Sequence, residues 1–584
     1  MRKFIFIFVL MIATVSAIGA QPSDVKEKGR KTVGLTFLHT SDVHGAVFSY
    51  DYLKSKHTRG GLPAIYAYAS SLRRRLGDAL ILTEGGDCLQ GQPTAYYSNY
   101  VDTTSTHLVA KVMNEMGYVC AVMGNHDIEA GHAVYDRWVK QLDMPVLGAN
   151  VIDTRTDQPY LTPYIVIERE GARIALLGMV TPTIPFWLPR NLWTNLRFED
   201  VETSSRKWVK HIMEKEHPDL LVGVFHSGFD GGIVTPECSE NATERTARNV
   251  PGFDFIFYGH DHHAAVHEVT NVEGKVVKCV GPSSEGTSFA LAKVVLQYDG
   301  GKLTDKQIDM SVIQSEPYAS DVYAELFEAD FVDERQDLNK WVGKSIGTLT
   351  HDMDGMDAYF GPSLFIDFIH QMQLELTGAE VSFAAPLSYN SVIKAGSMTV
   401  ADMFNLYKYE NFLYTMRLTG SEIKGFLEMS YSKWVEQMHS ADDHIMLMKQ
   451  NEQGDMYFPN MTFNFDSAAG ILYTVDVTKP VGERIHISGM ADGTAFDMDK
   501  EYKVAVNSYR GNGGGELLTQ GAGIPREELS SRIITASDVD QRFLMMQRIQ
   551  QLGTVTPRLL NTWRFVPEEW AVKACERDRK LLMK

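Results

Sequence analysis

The chain has 584 residues, of which 44% are hydrophobic, 22% charged and 10% aromatic, which excludes a single small module and any low-complexity or collagenous protein and calls for at least two domains. Its 56 Lys plus Arg against 74 Asp plus Glu leave a net charge of −18, and so acidic a chain is not a binder of nucleic-acid polymer, which needs clustered cations. A small phosphate ligand fits, because metal ions can supply charge locally.

Residues 1–20 read as a secretory signal peptide: Arg2 and Lys3 precede an apolar run from Phe4 to Ile12, and small residues follow at Ser16, Ala17, Gly19 and Ala20. Export to the periplasm or the medium is expected, with no membrane attachment once the segment is removed. From residue 33 to about 300, short apolar, β-branched runs each end in a loop of polar, ligand-type residues, an α/β signature. The runs are 33–38, 79–83, 118–123, 173–177, 220–225 and 253–258. A charged amphipathic helix is expected at 316–342 as a bridge, followed by an α+β unit over 343–570. Five scattered cysteines match no disulfide framework or zinc ribbon, so thiolates are not the theme. Nothing in the sequence sets an oligomeric state.

The loops after these runs carry Asp42 and His44, then Gly85-Gly86-Asp87, Gly124-Asn125-His126-Asp127, His226 and Gly259-His260-Asp261-His262. Carboxylate, imidazole and amide donors without cysteine suit Zn²⁺ or Mn²⁺ rather than a structural zinc site. One tetrahedral ion cannot use them all. Two ions about 3.5–4 Å apart, sharing a carboxylate, would use them and leave open positions for water and a substrate oxygen. Gly85, Gly86, Gly124 and Gly259 are expected to let the backbone turn sharply off its strand.

These loops resemble those of the calcineurin-like metallophosphoesterases, and within them the exported nucleotidases. The resemblance implies an N-terminal β-sandwich flanked by helices (32–315) and a C-terminal nucleotide-binding domain (343–570). It implies two divalent ions (Zn, Mn or Co), one on Asp42, His44, Asp87 and His262, the other on Asp87, Asn125, His226 and His260, with Asp87 bridging. His126 would be the catalytic histidine and Glu129 its acidic partner. A hydroxide shared by the ions would attack phosphorus in line, without a phosphoenzyme.

In the second domain, segments 406–412 and 506–515 resemble the two that clamp a base in the exported nucleotidases, which implies Tyr409 and Tyr509 as the rings and Asn411 beside them. The similarity is greatest to the branch acting on 2′,3′-cyclic nucleotides and 3′-nucleotides, through segments 86–91, 149–153, 407–411 and 463–477. The 5′-nucleotidase and UDP-sugar hydrolase branch fits less well, because its arginine-bearing segment is replaced by residues 384–390, Ala-Ala-Pro-Leu-Ser-Tyr-Asn. A nucleotide-binding protein with a decayed hydrolytic site would have lost a ligand, and all seven ligand-type residues are present.

Overall fold

The structure is a computed structural model that describes residues 29–58, 60–387, 391–451 and 454–583, so the expected signal peptide and residues 388–390 lie outside the described residues. All six apolar runs contribute strands. The strands that build the two main sheets of the first unit are β1 (Arg30–Thr40), β2 (Leu80–Glu84), β3 (Cys120–Val122), β4 (Val146–Leu147), β5 (Tyr164–Arg169), β6 (Ala172–Val180), β7 (Leu220–His226), β8 (Phe255–Tyr258), β9 (Ala265–Thr270), β10 (Val276–Gly281), β11 (Ser288–Asp299) and β12 (Lys302–Gln314).

They form two six-stranded sheets, in the orders β12-β11-β1-β2-β3-β4 and β9-β10-β8-β7-β6-β5. β1 to β4 run parallel, as do β6, β7, β8 and β10. β2 and β7 are buried along their whole length, which is why they read as continuous apolar runs rather than alternating ones. The sheets face each other through Phe37 of β1, whose ring meets Phe255 of β8 edge-on at 5.2 Å. Two packed parallel layers point several strand ends the same way, the placement that gathers functional loops.

The helix expected at 316–342 is two, Val322–Ala329 and Val332–Val342, interrupted at Phe331. The break keeps Phe327 and Phe331 in the first core while turning Leu338 and Val342 inward as well. On the helix after β1, Arg73 donates to the Met116 carbonyl at 2.7 Å, and exposed Arg74 lies over the Tyr323 ring.

The second unit is built on β13 (Val381–Ala384), β14 (Phe412–Thr419), β15 (Ser467–Ala469), β16 (Glu501–Asn507) and β17 (Ile533–Asp540), ordered β15-β13-β16-β14-β17. Past residue 570, the helix Glu568–Leu582 packs Ala571 and Ala574 into the same core. Tyr96 of the first unit bonds Asp540 at 2.9 Å and packs edge-on against Phe404 of the second. All five cysteines are free thiols.

Three histidines outside the candidate site are buried as neutral rings. His39 stacks on Phe257 and bonds Thr83, His107 bonds Asn99, and His370 lies between the Ser382 and Ser467 hydroxyls. Burial pushes each down from 6.5 to about 3. The unfolded chain therefore takes up these protons first, and the stability is full above pH 6.5 and lost as pH falls toward 3. Denaturant unfolding in chelator should show a loss of about 1 kcal/mol per histidine per pH unit below 6.5, with a shallower slope in His370→Gln. A profile flat from pH 7 to 5 would contradict the burial of these rings as neutral bases.

Candidate metal centre and adjoining cavity

Five strand ends converge. β1 leads into Asp42 and His44, β2 into Asp87, β3 into Asn125 and His126, and β8 into His260 and His262, while His226 is itself the last residue of β7. Two groups of donor atoms form, Asp42 with His44 and His262, and Asp87 with His226 and His260, the atoms in each within 4.8 Å of one another. Asn125 joins the second group, its Oδ1 3.0 Å from His226 Nε2. Asp87, expected to bridge, is grouped with the second set, and its charge also acts on His44.

The donor set fits cations. His226 Nδ1 lies 2.8 Å from the Gly85 carbonyl and His44 Nδ1 3.0 Å from that of Gln90, so each ring donates there and turns its Nε2 lone pair inward. His226 Nε2 then faces two oxygens, Asn125 Oδ1 and Asp87 Oδ2, the latter at 3.2 Å. His44 Nε2 faces His262 Nε2 at 3.0 Å. Lone pairs directed at one another call for positive charge between them, and the donor-bearing stretches 41–48, 85–92, 123–131, 226–231 and 259–264 contain no Lys or Arg. Burial works against a proton on His226, but Asp87 and Asp42 draw one on and raise it to about 10. A divalent cation would take that proton's place.

The backbone is bent at the donors themselves. Asp42, His44, Asp87, His260 and His262 all have positive φ, between 50° and 79°, a region that costs a non-glycine residue about 1 kcal/mol or more. Gly86 supplies the expected turn, but two of the other glycines act differently. Gly86 has φ 98°, but Gly124 (φ −96°) and Gly259 leave room instead. A Cβ on Gly124 would sit 2.1 Å from Asp87 Oδ1, and one on Gly259 1.9 Å from Ser41 Oγ and 2.6 Å from Asp42 Oδ2. Asp127, which the sequence marks only as the acid after His126, has a clear task. Its carboxylate accepts from the backbone N–H of Gly124, Asp87, Cys88 and Leu89 at 2.7–2.9 Å, tying the β2 loop to the β3 loop.

His126 Nδ1 lies 2.5 Å from Glu129 Oε2, and the His126 N–H donates to Asp87 Oδ1 at 2.8 Å. Burial would lower this histidine, yet Asp87 and Glu129 raise it to about 9. Its ring is 5.4 Å from that of His44. A cavity of about 510 Å³ opens over these groups. From the first unit it is lined by Asp87, Asn125, His126, Glu129 and His260, and from the second by Tyr409, Asn411, Phe463, Asn507 and Tyr509. The rings of Tyr409 and Tyr509 both stand edge-on to Phe463, at 6.0 and 5.8 Å.

Phe463, which opens the 463–477 segment that carries part of the resemblance but has no assigned role there, lines the cavity. Buried Arg510 fixes it, bonding the carbonyl of Phe463 and the carboxylate of Asp466. Trp187, a lining residue without a sequence signal, has its ring 5.6 Å from that of His260. Its carbonyl accepts from Asn512 of the second unit at 2.9 Å.

Gly124→Ala tests the close approach at Asp87. It should abolish cation binding at the Asp87 group with the circular-dichroism spectrum intact, as read by metal content after dialysis; unchanged metal content would contradict the packing described.

Family models match two segments: residues 35–264 match the calcineurin-like phosphoesterase and residues 345–520 the 5′-nucleotidase C-terminal domain. The chain is 26% identical over 602 residues to the trifunctional nucleotide phosphoesterase protein YfkN of Bacillus subtilis, covering 94% of this chain but 40% of that one. It is 26% identical over 598 residues to a 2′,3′-cyclic-nucleotide 2′-phosphodiesterase/3′-nucleotidase of Salmonella typhimurium, covering 92% and 89%. The 5′-nucleotidase precursor of Thermus thermophilus shares the fold, with a TM-score of 0.61 at 20% identity over 92% of this chain and all of that one. The chain therefore belongs to the metallophosphoesterases, with a calcineurin-like phosphoesterase domain at 35–264 and a 5′-nucleotidase C-terminal domain at 345–520.

Proposed function

We propose that this phosphoric ester hydrolase acts on nucleotides, taking 2′,3′-cyclic nucleotides and 3′-nucleotides ahead of 5′-nucleotides. In this reading the unit over 32–315 holds two divalent cations (Zn, Mn or Co) on Asp42, His44, Asp87, Asn125, His226, His260 and His262, and the unit over 343–570 holds the base. One observation carries it: donors from both groups (His44 and His262, Asp87, Asn125 and His260), the His126–Glu129 pair and the rings of Trp187, Tyr409, Phe463 and Tyr509 line a single cavity.

When bound, the cations supply a water of lowered pKa and neutralise charge growing on the phosphoryl oxygens. The chain's residues do the rest. Glu129 holds His126 through Nδ1, so its Nε2 can carry a proton for the leaving oxygen or donate to a phosphoryl oxygen. Tyr409 and Tyr509 seat the base by stacking, which tolerates different bases. Asn411 and Asn507 supply hydrogen bonds beside them.

The charge of the lining supports the place of cyclic substrates in this order, while the place of 3′- over 5′-nucleotides rests on the resemblance to the cyclic-nucleotide and 3′-nucleotidase relatives. Among its described residues Lys408 is the only Lys or Arg, against the carboxylates Glu129, Glu240, Asp261 and Glu285 around the cations' ligands. A cyclic diester carries one negative charge and is repelled less by these groups than a diphosphate. Export rests on the character of residues 1–20; among the described residues no helix is long and apolar enough to cross a membrane.

Phosphate or nucleoside release should be measured from 2′,3′-cyclic, 3′- and 5′-nucleotides at matched concentration with Mn²⁺, Zn²⁺ and Co²⁺. The first two substrates should lead; a lead for 5′-nucleotides or UDP-sugars would overturn the assignment. In His126→Ala, turnover should fall by about 10²–10⁴ with metal content unchanged, whereas loss of metal would give the residue a structural role. Tyr409→Ala and Tyr509→Ala should each weaken nucleotides by about 1–3 kcal/mol and leave an aryl phosphate nearly unaffected. Equal losses on both would remove the base clamp.

A further inference from the structure

His260 is held differently from His44 and His226. His226 and His44 each use one ring nitrogen on a neutral backbone carbonyl, whereas His260 Nε2 lies 3.1 Å from the Glu240 carboxylate. From this geometry we infer that Glu240 is a positioning residue of the centre: it fixes the His260 ring and its tautomer, so that Nδ1 keeps a lone pair for the cation beside Asp87 and His226. The inference rests on the two-cation reading above.

Glu240 can do this because it is itself fixed. Its Oε2 accepts from the Ile233 N–H at 2.7 Å. The carbonyl of the same residue accepts from Ser227 Oγ at 2.7 Å and Thr181 Oγ1 at 3.1 Å, at the ends of β7 and β6. Gly232 makes room, since a Cβ there would stand 2.6 Å from Glu240 Oε2. The His260 N–H donates to Asp42 at 3.0 Å, and Trp187 covers the ring. With its backbone and one face already constrained, the ring has one remaining freedom, the choice of nitrogen turned inward, and Glu240 sets it. A carboxylate opposite the ligating nitrogen also makes imidazole a more basic donor, and losing such a partner typically costs 10- to 100-fold in metal affinity.

The test uses the full chain stripped of metal and titrated with Mn²⁺, with bound ion counted by equilibrium dialysis. Glu240→Ala should weaken one of the two ions by about 10- to 100-fold and leave the other unchanged. Saturating Mn²⁺ should restore most of its turnover on an aryl phosphate with little change in KM. Glu240→Gln, which keeps an oxygen acceptor for the ring, should retain more affinity than the alanine variant and keeps the question answerable if that variant does not fold. Wild-type affinity for both ions in either variant would overturn the role of Glu240 while leaving the two-cation reading in place. A wild-type chain that binds fewer than two ions would instead overturn the reading on which this inference rests.

Discussion

The mouth of the sandwich gathers acceptor groups that need positive charge, from protons on its histidines, as on His226, or from cations. Two carboxylates, an amide oxygen and four imidazoles point at one another from five strand ends, with neither Lys nor Arg in the short stretches that carry them. In a buried site such repulsion is weakly screened, and the folded arrangement holds it in place with hydrogen bonds from behind: Gly85 and Gln90 carbonyls on two histidines, Glu240 on a third, Ser41 on Asp42. The positive φ angles at five donors add local strain of the same kind. Cations would relieve the repulsion, and the loops are shaped at the expense of their own backbone to receive them.

The second unit completes the site. Tyr409 and Tyr509 come from segments a hundred residues apart in sequence and flank Phe463, while Arg510 and Asp466 hold that corner of the cavity as a buried pair. Nearby, Arg542 bonds the carbonyls of Tyr407 and Lys408 and pairs with Glu410, and its guanidinium lies over the rings of Tyr96 and Phe404. The segment that presents Tyr409 is thus tied to the contact between the two units, so the geometry of the aromatic wall and the seating of one unit on the other depend on the same side chains.

Much of this was legible in the sequence because the strands are buried on both faces and read as unbroken apolar runs, and because donor residues at strand ends need little further information to be brought together. The parts that were not legible depend on backbone geometry or on distant chain. Asp127 gathers four N–H groups from two loops, something its position after His126 does not announce. Gly124 and Gly259 serve by leaving space against Asp87 and Ser41, a tertiary fact. Phe463 and Trp187 look like any other aromatic until the cavity is closed, and the single helix expected before the second unit breaks at Phe331 to bury more of its apolar face.

In the proposed reading the two donor groups, one of which contains Asp87, hold a pair of divalent cations. Crystals of the chain grown with Mn²⁺ and measured at the manganese absorption edge test it directly. Two anomalous peaks are expected, one against Asp42, His44 and His262 and one against Asn125, His226 and His260, with Asp87 reaching toward both. A single peak, or none at these side chains with Mn²⁺ in excess, would contradict it.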